Sequence, residues 1–263
     1  MTDLFQSALD LDVQEESRLS DFTSVGYQAV IIATQKLCQG ELPEIFIYGK
    51  KGSGKSHLAL AIYNEYTKTG KTAISLSLDK MIESEGDDAS ALQGLQLFDL
   101  VILDDVEAVA RSHEWQEGLF HLINEVRREQ KQLVFLANDP ARELDINLLD
   151  LLTRLSLAPA FKLPDGDNPT DREAMLKSIL RRKNWRLPPV IFEYLVSDGP
   201  YNATDMMSVL DSISPLLTRL ARTPVSKKTL EDTKKIIDKE TLLLELGDYI
   251  DDMSDWFCFT NFK

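Results

Sequence analysis

The stretch of sequence that most constrains the fold reads Gly49-Lys50-Lys51-Gly52-Ser53-Gly54-Lys55-Ser56. It fits the phosphate-loop pattern G-x-x-x-x-G-K-S/T, whose glycines let backbone N–H groups turn towards phosphate oxygens. The apolar residues Ile45–Tyr48 precede it, and a helix-like segment from His57 to Tyr66 follows. A helix that begins directly after the loop adds its partial positive charge to the same site. Strand, loop and helix in this order predict a site for a nucleoside di- or triphosphate.

Two side chains of this loop have specific predicted roles. Lys55 is expected to reach the β- and γ-phosphates, and the Ser56 hydroxyl is expected to bind Mg²⁺. The alternative is a glycine-rich hairpin in which Lys55 is only a surface charge. The strand before the loop and the helix after it favour the nucleotide site.

Size and composition are those of a globular protein. The 263 residues suffice for one large or two modest domains, with 43% hydrophobic and 27% charged residues. No apolar run approaches the roughly 20 residues of a membrane span, and Met1–Phe5 shows no secretory signal. The two cysteines, Cys38 and Cys258, form no metal or redox spacing. We therefore expect a cytoplasmic protein without a membrane partner.

The net charge of −14, from 43 acidic and 29 basic residues, argues against strong direct DNA binding. Non-specific affinity for nucleic acid comes largely from phosphate neutralisation by Lys and Arg. Lysines cluster between Lys227 and Lys239, but acidic residues alternate with them. This alternation favours a solvated helix face over a basic binding patch.

Short apolar runs alternate with amphipathic segments through the middle of the chain, which predicts an α/β fold with a parallel, doubly wound sheet. The predicted strands are Ile45–Tyr48, Thr72–Leu78, Leu100–Leu103, Leu133–Ala137 and Ala160–Leu163. Ligands of such sheets bind at the carboxyl ends of the strands, so the nucleotide site is expected there.

A helix is predicted before the first strand, over Ser20–Gln39. Its apolar residues Val25, Ala29, Ile32 and Leu37 recur at a helical spacing and are expected to form its buried side.

After Pro164 the sequence becomes helical in character throughout. Thr170 and Glu173 suit a capping box that opens the first of these helices. We therefore predict a flexible N-terminal arm (residues 1–18), an α/β nucleotide-binding domain (19–165), a small all-helical lid domain (166–246) and a C-terminal tail (247–263). The tail is first acidic and then aromatic, and its sequence leaves open whether it packs on the body or serves as a contact segment.

Polar residues follow two further predicted strands. Asp104 and Asp105 follow the third strand. Asp104 is expected to hold Mg²⁺ with Ser56, and Asp105 to orient or activate an attacking water. Asn138 and Asp139 follow the fourth strand, where one of them is a candidate contact to the γ-phosphate. A simple turn explains this pair equally well.

Together these segments resemble the initiator clade of AAA+ ATPases, the family of bacterial DnaA and its relatives. The resemblance rests on the loop with its flanking Tyr48 and His57, on Ile102–Glu107, on Phe120–Asn124, on Asn138–Pro140 and on Thr153–Leu155. It spans roughly residues 20–220. It implies an AAA+ P-loop fold with a parallel five-stranded core and a helical lid, and a nucleotide bound between them.

Within this family the chain is similar to the stand-alone regulators of the Hda type, because nothing basic of the size of a DNA-binding domain follows the lid. Such regulators act with the DNA polymerase sliding clamp to promote hydrolysis of DnaA-bound ATP, which inhibits replication initiation. The resemblance thus implies DnaA and the clamp as partners, besides a possible homo-oligomer. Gln6, Leu9 and Leu11 resemble the clamp-binding hexapeptide of these regulators. A disordered arm with scattered leucines fits the same residues.

The resemblance also implies roles for individual residues. The loop, together with His57, would hold ADP or ATP, and Ser56 and Asp104 would hold Mg²⁺. Asp105 matches the second acid of the family, and Asn138 or Asp139 matches its first sensor.

Two positions bear on hydrolysis. Arg154 matches the arginine finger that regulators of this type present to DnaA-bound ATP. Thr204 stands where the lid helix of the family usually offers a sensor arginine. This departure implies weak or absent intrinsic ATPase activity, with nucleoside diphosphate as a possible working ligand.

Two other functions fit the same motifs. A helicase loader or assembly ATPase of the neighbouring AAA+ clade would hydrolyse ATP appreciably and bind a helicase. A non-catalytic, nucleotide-dependent adaptor would use Arg154 only to brace an interface. A truncated initiator that binds DNA is disfavoured by the net charge of −14.

Overall fold

The computed structural model describes residues 17–22, 24–220 and 224–259, without the side chains of residue 218 and of residues 247–259. The chain divides into two compact units between Pro164 and Asp165. The predicted clamp-binding residues Gln6, Leu9 and Leu11 lie outside the described residues.

The first unit alternates strands and helices. Its strands are β1 (Glu44–Tyr48), β2 (Ala73–Ser77), β3 (Leu100–Asp104), β4 (Gln132–Ala137) and β5 (Ala160–Lys162). Its α-helices are α1 (Gln28–Cys38), α2 (Lys55–Thr67), α3 (Leu78–Glu85), α4 (His113–Arg128) and α5 (Leu149–Ser156). Short 3₁₀ turns lie at Leu19–Asp21, Val25–Tyr27, Ala89–Leu92, Leu95–Leu97, Val106–Arg111 and Ala141–Glu143.

The strands of this unit form a parallel sheet in the order β2-β3-β4-β1-β5. Strands β3 and β4 are buried at every position, as expected for central strands that are covered on both faces. The register places Tyr48 opposite Ala137 and Ser77 opposite Asp104, so the polar residues that follow these strands meet at one edge. The predicted parallel five-stranded α/β core is confirmed.

Helix α4 shows how the sequence pattern builds the core. Its residues Leu119, Leu122, Ile123 and Val126 recur at helical spacing, and all four are buried. Burying an aliphatic side chain of this size contributes about 1.5–3 kcal/mol. Trp115 is fully buried on the same helix, and its indole N–H donates to the carbonyl of residue 86 at 2.7 Å.

The N-terminal helix is shorter than predicted and buries a different face. Helix α1 begins only at Gln28. Val25, Ala29 and Ile32 are exposed, and only Leu37 of the predicted set is buried. The buried side consists of Tyr27, Val30, Ala33, Thr34 and Leu37. The prediction was wrong because apolar residues occupy overlapping stripes of this helix, and spacing alone does not say which stripe meets the sheet.

The second unit is helical in its described residues. Its helices are α6 (Pro169–Arg182), α7 (Pro189–Asp198), α8 (Ala203–Ile213), α9 (Leu217–Leu220) and α10 (Lys227–Phe259), with a 3₁₀ turn at Ser214–Leu216. Helices α6, α7, α8 and α10 pack around a small apolar core. Within the described part of the chain, no helix combines the length and the apolar composition that crossing a bilayer requires.

The first helix of this unit begins one residue earlier than its predicted cap. Asn168, not Thr170, caps α6: its Oδ1 accepts the backbone N–H of Asp171 at 2.9 Å. Pro169 then occupies the first helical position, where its fixed φ and missing N–H carry no cost. The asparagine followed by proline, and not the capping-box pattern, therefore sets where this helix begins.

The last helix continues past the predicted end of the lid domain at residue 246. Helix α10 runs through Gly247 to Phe259, so the segment predicted as a separate tail is helical up to that residue. A glycine within a helix costs only about 1 kcal/mol relative to alanine, which does not by itself end a helix.

Candidate nucleotide site

The loop between β1 and α2 depends on its glycines. Gly52 and Gly54 have φ values of 79° and 91°, in the left-handed region where other side chains are strained. Gly49 is needed for a different reason, because a Cβ atom there would lie 2.8 Å from Ser53 Oγ. Its N–H donates to Ala137 O at 3.1 Å, which fastens the loop to the end of β4.

Lys55 points into the protein and is only 7% exposed. Its ammonium group donates to Gly49 O at 2.7 Å, to Asn138 Oδ1 at 2.7 Å and to Lys50 O at 3.3 Å. These contacts use all three N–H groups of the lysine. They also place its charge where β1 and β4 end, which is incompatible with a surface lysine on a hairpin.

Ser56 and Asp104 lie next to each other at the same edge. The Ser56 hydroxyl donates to Asp104 Oδ2 at 2.7 Å. Asp104 ends β3 and is buried, and its Oδ1 accepts the backbone N–H of Asp105 at 3.0 Å. The two groups predicted to share Mg²⁺ are therefore adjacent.

Asp105 has an unusual backbone. Its φ is 57°, in the left-handed region that aspartate tolerates better than most residues. Its Oδ2 accepts a hydrogen bond from the Ser77 hydroxyl at 2.7 Å, at the end of β2. The carboxylate that was predicted to orient a water is thus engaged by a hydroxyl of the protein.

Glu107 is a residue of this site to which the sequence analysis assigned no role. It lies in the 3₁₀ turn after β3. Its Oε2 accepts the backbone N–H of Asn138 at 3.2 Å, and its Oε1 accepts the Asn138 side-chain amide. The sequence does show a third acidic residue two positions after Asp105. However, the 3₁₀ turn that places this residue next to the end of β4 has no hydrophobic periodicity, so the sequence does not predict the contact.

Burial and mutual repulsion shift the pKa values of this cluster. Burial lowers the pKa of Lys55, while Asp104, Glu107, Asp105 and Asp139 act in the opposite direction. Burial raises the pKa of Asp104, and the neighbouring charge of Asp105 adds to this shift. Burial is also the main cause that raises the pKa of Glu107. The four acidic side chains around Lys55 bring negative charge to the site, which favours a divalent cation beside any bound phosphate.

The other predicted loop and sensor residues lie around this cluster. Asp139 is exposed, yet its charge acts on Lys55. Lys50 and Lys51 are exposed, and His57 is half-buried in the first turn of α2.

Arg154 lies in the last turn of α5 and is half-buried. Its guanidinium carbon is 6.0 Å from the centre of the Phe120 ring. Its carbonyl accepts a hydrogen bond from Arg127 Nη2 at 2.9 Å. Arg127 is in turn bound to Glu44 by two hydrogen bonds of 2.9 and 2.8 Å. None of these contacts involves the phosphate loop, so Arg154 is supported independently of it.

The lid helix that was expected to carry a sensor arginine is α8. Thr204 is its second residue and is exposed. Asn202 caps this helix, with its Oδ1 accepting the backbone N–H of Asp205 at 2.9 Å. The uncharged Thr204 therefore stands in a well-formed first helical turn.

The residues present fit a nucleotide with Mg²⁺. The loop offers a buried ammonium group at Lys55, and the buried hydroxyl of Ser53 has no hydrogen-bond partner among the described residues. Ser56 and Asp104 provide two oxygen ligands of the kind that Mg²⁺ prefers. In the described ranges no group of three or more His, Cys, Asp or Glu is placed to hold a metal alone. Phosphate oxygens or waters would therefore complete the coordination of Mg²⁺.

Known proteins resemble both the sequence and the fold. A protein of Haemophilus influenzae is 29% identical over 199 residues, which cover 74% of this chain and 82% of the relative. The AMPPCP-bound DnaA from Aquifex aeolicus has a TM-score of 0.67 at 22% identity, covering 85% of this chain and 70% of that structure. Domain III of Thermotoga maritima DnaA has a TM-score of 0.68 at 18% identity, covering 84% and 97%. At these identities the two structures show the fold alone.

A family assignment comes from the sequence. Residues 24–157 match the bacterial DnaA ATPase domain. The matched range is half of the chain, and it contains the phosphate loop, the Ser56–Asp104 pair, Asn138 and Arg154. With its parallel five-stranded AAA+ P-loop core, this chain belongs to the replication-related family of the bacterial DnaA ATPase domain.

Proposed function

We propose that this protein binds ADP or ATP with Mg²⁺ at the loop between β1 and α2. Lys55 contacts the phosphates, Ser56 and Asp104 hold Mg²⁺, and Asn138 or Asp139 contacts the terminal phosphate. The ion supplies positive charge that offsets the phosphate oxygens. AMPPCP binding by the Aquifex DnaA supports this proposal.

Hydrolysis at this protein's own site is weak or absent in our proposal. Two observations support this. Asp105 is hydrogen-bonded to Ser77, so its carboxylate must give up that bond before it can orient a water. Thr204 is an uncharged residue at the position where the family's lid helix usually offers a sensor arginine. Bound nucleotide then serves chiefly to hold the protein in a competent shape.

The chemistry that we propose for this protein is directed at another protein's nucleotide. Arg154 is the observation that carries this proposal. Its helix is anchored through Arg127 to Glu44, while its guanidinium group lies over Phe120, away from the contacts of Lys55. An arginine on such a support is suited to stabilise charge that develops on a transferred phosphoryl group in a neighbouring subunit.

The function that follows is a negative regulator of replication initiation, which promotes hydrolysis of DnaA-bound ATP together with the DNA-loaded sliding clamp. DnaA would provide the ATP and Arg154 the trans-acting charge. Gln6, Leu9 and Leu11 would attach the protein to the clamp. The acidic net charge of −14 supports a protein partner over direct DNA binding.

The proposal is tested by adding the protein and DNA-loaded clamp to ATP-bound DnaA and measuring phosphate release. Wild type should stimulate release, and Arg154→Ala should reduce that stimulation by a factor of about 10³, to background. The matched control is Arg142→Ala, at an exposed arginine of the same unit; it should retain stimulation. Absence of stimulation by wild type would refute the regulatory function.

The same assay separates the alternatives. Appreciable ATP hydrolysis without DnaA would favour a helicase loader, and unchanged stimulation in Arg154→Ala would favour an adaptor without a trans-acting arginine. Deleting residues 1–12 should abolish binding to the clamp. Clamp binding that survives this deletion would exclude the proposed role of Gln6, Leu9 and Leu11.

A further inference from the structure

Three side chains form a chain of hydrogen bonds across the candidate site. Lys55 Nζ donates to Asn138 Oδ1 at 2.7 Å. The Asn138 side-chain amide donates to Glu107 Oε1, and the Asn138 backbone N–H donates to Glu107 Oε2 at 3.2 Å. Asn138 thus lies between the lysine of the phosphate loop and a half-buried carboxylate.

This arrangement leaves Asn138 little to offer a phosphate. Its oxygen accepts a hydrogen bond from Lys55, and the backbone N–H and one of the two amide N–H groups donate to Glu107. The second amide N–H remains for a terminal phosphate, which accepts hydrogen bonds and donates none. A phosphate bound there would share one amide group with the Glu107 carboxylate, so two negative charges would lie close together.

Glu107 also differs from the other acids around Lys55. Asp104 is hydrogen-bonded to Ser56, the pair that is suited to Mg²⁺, and Asp139 is exposed to solvent. Asp105 is hydrogen-bonded to Ser77 on the far side of β3 from β4. Glu107 alone among these acids is bound to Asn138, so its charge is separated from Lys55 by a single amide group.

We propose that Glu107, through its two hydrogen bonds to Asn138, makes the phosphate-loop site bind a nucleoside diphosphate more tightly than a triphosphate. A diphosphate needs Lys55, which must exchange one of its three contacts for a phosphate oxygen, but it needs no N–H group of Asn138. A triphosphate adds negative charge at the end of the phosphate chain, beside Glu107 and Asn138. This inference rests on the proposed nucleotide site, and it assigns the specificity of that site to one residue.

The test is the ratio of two dissociation constants, measured by calorimetry with Mg²⁺ for ADP and for the non-hydrolysable analogue AMPPCP. Wild type should bind ADP more tightly. Glu107→Gln removes the charge and keeps the size of the side chain, so AMPPCP affinity should rise about tenfold relative to ADP. Glu107→Ala should move the ratio in the same direction.

A matched control carries the same chemical change elsewhere. Glu83→Gln, at an exposed position of α3, changes the net charge of the protein equally and should leave the ratio unchanged. A thermal melt without nucleotide confirms that each variant is folded before its affinities are compared.

The outcomes distinguish this inference from the proposed function. If wild type binds neither nucleotide, the proposed site itself fails. If wild type binds both, and neither Glu107 variant moves the ratio by more than twofold, the site stands and the role of Glu107 is refuted. Equal losses of both affinities in Glu107→Gln would likewise refute it, because they indicate a general structural role.

Discussion

At the scale of single residues, two side chains of the same type differ in whether their hydroxyl group has a hydrogen-bond partner. Thr67 is satisfied, because its single hydroxyl proton is shared between Tyr63 O at 3.0 Å and Asn64 O at 3.2 Å. The Thr34 hydroxyl on α1 is buried without a partner among the described residues. Leaving a buried polar group unsatisfied costs about 1–3 kcal/mol. Two helical threonines therefore contribute to stability with opposite signs.

Replacing the unsatisfied hydroxyl should stabilise the protein. Thr34→Val keeps the shape of the side chain and removes its desolvated hydroxyl, so the free energy of unfolding should rise by about 1 kcal/mol. Urea denaturation measures this change. The control Thr67→Val removes a satisfied hydroxyl and should give no gain. Equal effects of the two substitutions would show that the Thr34 hydroxyl has a partner, such as an ordered water.

At the scale of elements, the existence of helices was predicted better than their boundaries and buried faces. The apolar spacing of α4 coincides with its buried side, because four aliphatic residues lie on one stripe with polar residues opposite. The face of α1 was predicted wrongly, since both Val30 and Ile32 lie in its apolar run and only packing against the sheet selects Val30. The cap of α6 was also misplaced, because two residues near its start are both able to cap a helix.

The two possible caps of α6 make different predictions. Asn168→Ala removes the acceptor for the Asp171 N–H and should lower the stability of the helical unit by about 1 kcal/mol. Thr170→Ala should change stability by less than about 0.5 kcal/mol. Chemical denaturation and amide hydrogen exchange in α6 measure both changes. A larger effect at Thr170 would mean that the capping box operates in solution.

At the scale of the first unit, one ion pair joins segments that are far apart in sequence. Glu44 begins β1, Arg127 lies near the end of α4, and the carbonyl that Arg127 also binds belongs to Arg154 on α5. The Glu44 and Arg127 side chains are 9% and 22% exposed, so water screens them weakly. This pair supports the proposed arginine finger by fixing the backbone that carries it.

Two neighbouring arginines on α4 allow the contribution of the Glu44–Arg127 pair to stability to be measured. Arg127→Ala leaves a buried carboxylate without its partner and should lower the free energy of unfolding by about 3 kcal/mol. Arg128→Ala removes only an exposed pair with Glu129, with an expected change of less than about 1 kcal/mol. Both substitutions remove a positive charge from the same helix end, so the general helix-dipole effect cancels in the comparison. Similar losses in the two variants would contradict the proposed anchoring.

The sequence by itself determined the fold class, the strand order along the chain and the identity of the phosphate loop. These features are local: a strand, a glycine-rich turn and a helix start are specified by consecutive residues. It also placed Asp104 and Asn138 at strand ends and Ser56 in the loop that follows the first strand, and a parallel sheet brings these positions to the same edge.

Only the tertiary structure decided which of these side chains contact each other. The Glu107–Asn138–Lys55 chain and the Arg127–Glu44 pair join residues separated by 31 to 83 positions, and no sequence spacing encodes such contacts. They arise because the packing of parallel strands and helices brings distant segments together, where β4 ends for the first contact and where β1 begins for the second. Burial leaves each polar group dependent on whichever partner its end of the sheet provides.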